Sequence, residues 1–129
     1  MAGQLVLIDT SILIDFYRKT DKANLAWIAL IDQDYEFAIS TISKYEIYSG
    51  ATQSQIGFWD SVLLSVAVLA FDESCVDTAV RLNFLLKQKR KQIELADLFI
   101  AATAVTQKLS IATLNRKHFE RIEELILLD

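Results

Sequence analysis

The sequence predicts an α/β protein, a three-layer α/β/α sandwich around a central parallel sheet. Three observations predict it. Short apolar runs recur along the chain, amphipathic helical patterns separate them, and the first run, Leu5 to Ile8, has no polar residue. A strand apolar on both faces is buried on both, and strands separated by helices pair in parallel through right-handed crossovers.

The elements follow in order. Leu5 to Ile8 forms the first strand, and Ser11 to Arg18 and Lys22 to Ile31 form helices, with Asp21 capping the second. Glu36 to Ser40 is the second strand. Ser40 or Thr41 caps a helix that runs to Ser49 and stops at Gly50. Thr52 to Leu64 is a further helix and Val66 to Phe71 the third strand. Asp72 to Arg90 reads as a long amphipathic helix and Ala96 to Lys108 as a shorter one. Ser110 to Thr113 is the fourth strand, and Leu125 to Leu128 is a candidate fifth.

Composition bounds the function. The 129 residues are 53% hydrophobic, with no proline and three glycines, which fits one compact domain spanning 1–129 without linker or repeat. No secretory leader or membrane span is expected, since Val62 to Phe71 is too short to cross a bilayer. The lone Cys75 fits a reducing cytoplasm and reads as a small buried hydrophobe rather than a nucleophile. A formal charge of −4 argues against a broadly basic nucleic-acid surface, but not against carboxylates gathered around a metal with local basic patches elsewhere.

Most of the 17 acidic residues fall in turns or on polar faces. Three differ. Asp9 ends the first strand, where open α/β folds place their chemistry. Glu46 lies on the first turns of the helix after the second strand. Asp97 opens a helix whose Leu98, Ala101, Ala102 and Val105 must face the sheet, so it points along that buried side. Each alone has a plain alternative: Asp9 or Asp97 as a helix cap, Glu46 paired with Lys44 or another cation. Together they are harder to explain without a ligand. Two carboxylates ~4 Å apart repel by about 4 kcal/mol at an effective dielectric near 20. All-oxygen ligation suits Mg²⁺ or Mn²⁺. No phosphate loop, dinucleotide fingerprint or nucleophile elbow occurs. His118, the single histidine, has no zinc-type partners and reads as a surface or turn residue.

The segments LVLIDTSILIDFYR (5–18), ISTISKYEIYSG (39–50), ELADLFIAATA (94–104) and IATLNRKHFERI (111–122) resemble, in order and across nearly the whole chain, the PIN-domain ribonucleases, and among them the VapC-type toxins of toxin–antitoxin modules. The resemblance implies a sheet with the first strand central, between the second and the fourth. It implies Asp9, Glu46 and Asp97 as metal-binding acids, with Ser11 hydrogen-bonding within the site or capping the helix. Many PIN domains carry an acid two residues after the threonine of the fourth strand; here Thr113 is followed by Leu114 and then Asn115. An amide there still serves as a site residue, holding a metal-bound water or a phosphate, but it neutralises a second cation poorly. Asp15 is a candidate to compensate, against a surface or capping role.

The resemblance further implies a Mg²⁺-dependent cytoplasmic endoribonuclease that cuts single-stranded or loop RNA, forms a homodimer and is held inactive by an antitoxin. Phosphate contacts are expected from the run Lys87 to Gln92 and from Arg116 and Lys117, unless these merely favour a helix dipole. Tyr17, Trp27, Phe58 and Trp59 are either core or a partner surface. Two other readings stand beside this one. A catalytically weak PIN-like module would bind RNA or protein without cutting. A receiver-like or phosphatase domain would need an aspartate ending the third strand, where Phe71 precedes Asp72, and a lysine ending the fourth.

Overall fold

The computed structural model describes residues 3–19 and 25–128. Four parallel strands, β1 (Leu5–Ile8), β2 (Glu36–Ser40), β3 (Ala67–Leu69) and β4 (Ser110–Ala112), form one sheet in the order β3-β2-β1-β4. In register, Leu7 lies opposite Ala38 on one side and Ile111 on the other, so β1 is central as expected. The chain leaves β1 toward β2 and returns beside it as β4, which makes the carboxyl end of β1 the topological switch point.

Among the described residues seven helices cover the sheet: α1 (Thr10–Arg18), α2 (Ala26–Asp32), α3 (Thr41–Gly50), α4 (Ile56–Leu63), α5 (Glu73–Gln88), α6 (Leu95–Gln107) and α7 (Arg116–Phe119). Strand alternation divides them into two layers. Val6 and Ile8 of β1, with Phe37 and Ile39 of β2, pack under Ile12, Leu13, Trp27, Leu30, Ile47 and Trp59 of α1 to α4. Leu7 and Ala38 point the other way, under Leu82, Leu98, Ala101 and Phe119 of α5 to α7. Val6, Leu7 and Ile8 are fully buried, which stabilises the fold by about 1.5–3 kcal/mol per side chain.

Local chemistry explains the element ends. Asp9 caps α1 through Ile12 N, Ser40 caps α3 through Ile42 N, and Asp72 caps α5 through Cys75 N. Cys75 is buried, as its reading as a small hydrophobe requires. The helix expected from Thr52 begins instead as a 3-10 turn, Gln53–Gln55, closed by a reciprocal Thr52–Gln55 capping box, and only then becomes α4. β3 is shorter than Val66 to Phe71 because it is an edge strand with one paired neighbour. The candidate fifth strand reduces to a single parallel bridge, Ile111 to Leu127. The expected start of the second helix at Lys22 and its Asp21 cap lie outside the described residues; Leu25 precedes the described helix. The four-residue α7 has no counterpart among the expected elements, since one turn carries no readable period.

Candidate active site

The carboxyl edge of the sheet collects polar residues that apolar strands deliver to it. Asp9 is 3% exposed. Its Oδ1 accepts from Ser11 Oγ at 2.6 Å and from Ile12 N at 3.4 Å, and its Oδ2 accepts from Thr113 Oγ1 at 2.6 Å. The two hydroxyls also accept bonds: Leu114 N donates to Ser11 Oγ at 3.0 Å and Asn115 N to Thr113 Oγ1 at 2.8 Å. The backbone after β4 is thus wired through two hydroxyls to a single carboxylate. Ser11 takes the hydrogen-bonding role within the cleft, while the α1 cap belongs to Asp9.

Burial pushes the Asp9 carboxyl above its ordinary range; the bonds from Ser11, Thr113 and Ile12 act against this, and the nearby charge of Asp97 adds to it. Among the described residues no lysine or arginine pairs with Asp9. A buried acid without a cationic partner is costly on its own.

Asp97 occupies the first turn of α6, whose cap position is held by Glu94 rather than by Asp97. Its Oδ2 lies 3.0 Å from His118 Nδ1 and 3.4 Å from Asn115 Nδ2, and the latter two atoms are 2.8 Å apart. His118 is therefore a cleft residue, not the turn or surface residue its isolation in the sequence suggests. Nδ1 makes one of its two bonds at a time: protonated it donates to Asp97, and unprotonated it accepts from Asn115 Nδ2. The Asn115 amide also faces Asp97, where a second acid would add repulsion.

Glu46, on α3, does not pair with Lys44. Its Oε1 lies 2.6 Å from Thr10 Oγ1, which in turn lies 2.9 Å from Ser43 Oγ. A hydroxyl has one proton, and the shorter contact to the charged acceptor takes it, leaving Ser43 to donate into Thr10. Thr10 and Ser43 carry no distinctive signal in the sequence, where hydroxyls at helix starts are ordinary caps; only packing of α1 on α3 reveals their use. Asp15 is drawn to Lys19 at 3.3 Å, one helical turn away. Arg116 turns its Nη1 to the Leu128 carbonyl at 2.9 Å.

Among the described residues no three His, Cys, Asp or Glu side chains converge as a ready-made metal cage. The pair Asp9 and Asp97, with hydroxyls around them, still fits a hard cation that takes one or two carboxylates and keeps several waters. Asp9's uncompensated burial is the observation that calls for such a charge.

Fold and cleft together define a class: small doubly wound parallel α/β domains with an acidic cleft at the switch point. The chain belongs to the PIN-domain family, whose profile matches residues 6–125. It is similar to Ribonuclease VapC1 of Methanocaldococcus jannaschii, 30% identical over 124 residues that span 92% of this chain and 82% of the relative. Ribonuclease VapC10 of Mycobacterium tuberculosis is 32% identical over 122 residues, spanning 94% of this chain and 90% of the relative. Among solved structures, VapBC2 from Rickettsia felis bound to a DNA fragment from its promoter superimposes with a TM-score of 0.82 at 25% identity, over 97% of this chain and 98% of that one. VapBC-1 from nontypeable Haemophilus influenzae reaches a TM-score of 0.84 at 23% identity over 98% of both chains, a likeness of fold.

Proposed function

We propose that this chain is a divalent-metal-dependent endoribonuclease, the toxin of a toxin–antitoxin pair, acting in the cytoplasm as one catalytic domain. The observation that carries the reading is Asp9, buried at the switch point with no lysine or arginine partner among the described residues and under the influence of Asp97's charge. The relatives named ribonuclease VapC support the activity and substrate class.

Asp9 and Asp97 would hold Mg²⁺ or Mn²⁺, with Glu46 bound directly or through a water. Such an ion supplies positive charge to phosphoryl oxygens and makes a nearby water more acidic. The chain's own residues do the rest. Ser11 and Thr113 orient both oxygens of Asp9, and His118 with Asn115 holds Oδ2 of Asp97. Thr10 fixes one oxygen of Glu46, leaving the other to take the proton of the attacking water, a task Asp97 can share. In-line attack on the phosphodiester leaves a 5′-phosphate and a 3′-hydroxyl.

Structures of VapBC assemblies among the neighbours support an antitoxin partner. An apolar groove lined by Phe16, Trp27, Ile28, Ile31, Phe58 and Val62 offers it a seat. Trp27 and Trp59 themselves are core, and Tyr17 and Phe58 are half-buried against them. A homodimer is supported by the exposed stripe Val76, Val80 and Phe84, one turn apart along α5. Among the described residues no helix is long and apolar enough to cross a membrane.

The test is Asp97→Asn. Purified wild-type protein with Mg²⁺ is expected to cut single-stranded RNA to 5′-phosphate ends, and the variant to lose cleavage at unchanged circular dichroism. Undiminished cleavage by the variant refutes the assignment. Binding of RNA without any cleavage by the wild type favours the non-cutting module instead.

A further inference from the structure

The fold closes two basic segments, distant in sequence, onto one open groove of about 580 Å³. Arg90 and Lys91 come from the turn after α5, and Lys117, Glu120 and Arg121 from α7 and the turn behind it. Four cations thus face one acid, on a chain whose formal charge is −4.

Two neighbouring cations are spent on carboxylates. Arg81 pairs with Glu124, and Lys89 Nζ reaches Glu123 Oε1 at 2.5 Å. Arg90, Lys91 and Lys117 have no such partner among the described residues. Arg121 donates from Nη1 to the Gln92 carbonyl at 3.0 Å, which ties the two walls together. Both walls of the groove lead in sequence to residues of the acidic cleft. Lys117 precedes His118, whose ring touches Asp97, and the Lys91 segment runs on into the start of α6, which carries Asp97.

We infer that this groove binds the backbone phosphates of single-stranded RNA next to the bond being cut, an inference that rests on the ribonuclease reading. A carboxylate cleft repels a phosphate strand, and on an acidic protein the attraction must come from a local track of cations. The lining favours phosphate over a protein partner. It contains no apolar side chain, whereas protein interfaces are anchored by buried aromatic and aliphatic groups. Such contacts position the strand and carry no base specificity.

Arg90 makes the test clean. Its φ is +55°, a left-handed conformation at the position just past α5 where glycine is the favoured residue. Arg90→Gly therefore removes a cation while relieving backbone strain. The experiment measures fluorescence anisotropy of a labelled single-stranded RNA of mixed sequence, in EDTA, across a salt series. The triple variant Arg90→Gly, Lys91→Ala, Lys117→Ala is expected to flatten the slope of log K against log salt by about 2, at about 0.7 per lost phosphate contact, with an unchanged or raised Tm. Lys89→Ala, whose ammonium is already paired, is expected to leave the slope as it is. Identical slopes and affinities for wild type and triple variant overturn the groove while leaving the nuclease intact. Retained RNA binding with loss of polyglutamate binding assigns the groove to an acidic polypeptide and overturns it too. If the wild type with Mg²⁺ cuts no RNA, the ribonuclease reading falls and the inference with it.

Discussion

Replacing Asp9 by Asn separates what the fold needs from what the chemistry needs. The residue is 3% exposed, and burial holds its carboxyl above the ordinary value of 3.8. A raised folded pKa means the native state binds more protons than the unfolded chain, so stability falls as pH rises through that interval. Above it the wild type carries the full penalty of a buried charge, about 1.4 kcal/mol per unit of pKa displacement. Asparagine carries none. Its oxygen keeps the bonds from Ser11 and Ile12, its amide donates to Thr113 Oγ1 where the carboxylate accepted, and the Thr113 hydroxyl turns its own proton toward Ser11 Oγ, 3.4 Å away. Without metal, Asp9→Asn is therefore expected to melt higher than wild type at neutral pH, with the gap closing as pH falls toward 3.8. Metal reverses the order. At 100 times its Kd a ligand stabilises by about 2.7 kcal/mol, about 10 °C for a chain of this length at about 2.1 cal/mol/K per residue. Scanning fluorimetry with Mn²⁺ is expected to show that rise in wild type and little in the variant. Equal Mn²⁺ shifts, or a metal-free variant that melts lower at neutral pH, would refute the view of Asp9 as an uncompensated charge awaiting a cation.

Thr10→Val removes the bond that fixes Glu46; RNA cleavage should fall about 10- to 100-fold through misplacement of the carboxylate, at a stability cost of about 1–2 kcal/mol, with Thr10→Ser restoring activity in the same assay. The Tyr48 hydroxyl donates to Asp60 at 2.6 Å, and that bond pushes its pKa up to about 12. The contact is present below pH 10 and lost as pH rises through about 12, so ultraviolet titration should show one tyrosine ionising late, and Asp60→Asn should return it toward 10.

How far the site was legible depends on the range of the forces involved. Asp9 could be read because an acid ending an apolar strand violates a local pattern, and Asp97 because it stands on the otherwise apolar face of a helix. Glu46 was legible only as an acid near a helix start, and its holder Thr10 not at all. His118 and Asn115 lie on or beside a one-turn helix, and only closure of α7 over α6 brings them to Asp97. The basic run at Lys87 to Gln92 and the pair Arg116–Lys117 look equivalent in sequence. Tertiary packing sorts them, sending Lys89 to Glu123 and Arg116 to the Leu128 carbonyl while Arg90, Lys91 and Lys117 line one groove.

By itself the sequence determined the layered parallel architecture and, by family likeness, the central place of Leu5 to Ile8, and it singled out Asp9, Glu46 and Asp97 as candidates. These follow from hydrophobic period and from charges out of place, which act between near neighbours and are written in the chain. Tertiary structure alone decided which oxygens of those acids are occupied, that His118 belongs to the cleft, and that two basic segments share a groove. Hydrogen bonds and ion pairs are made at 2.6 to 3.4 Å between residues as far apart as Asp9 and Thr113, a range at which only the closed fold specifies partners.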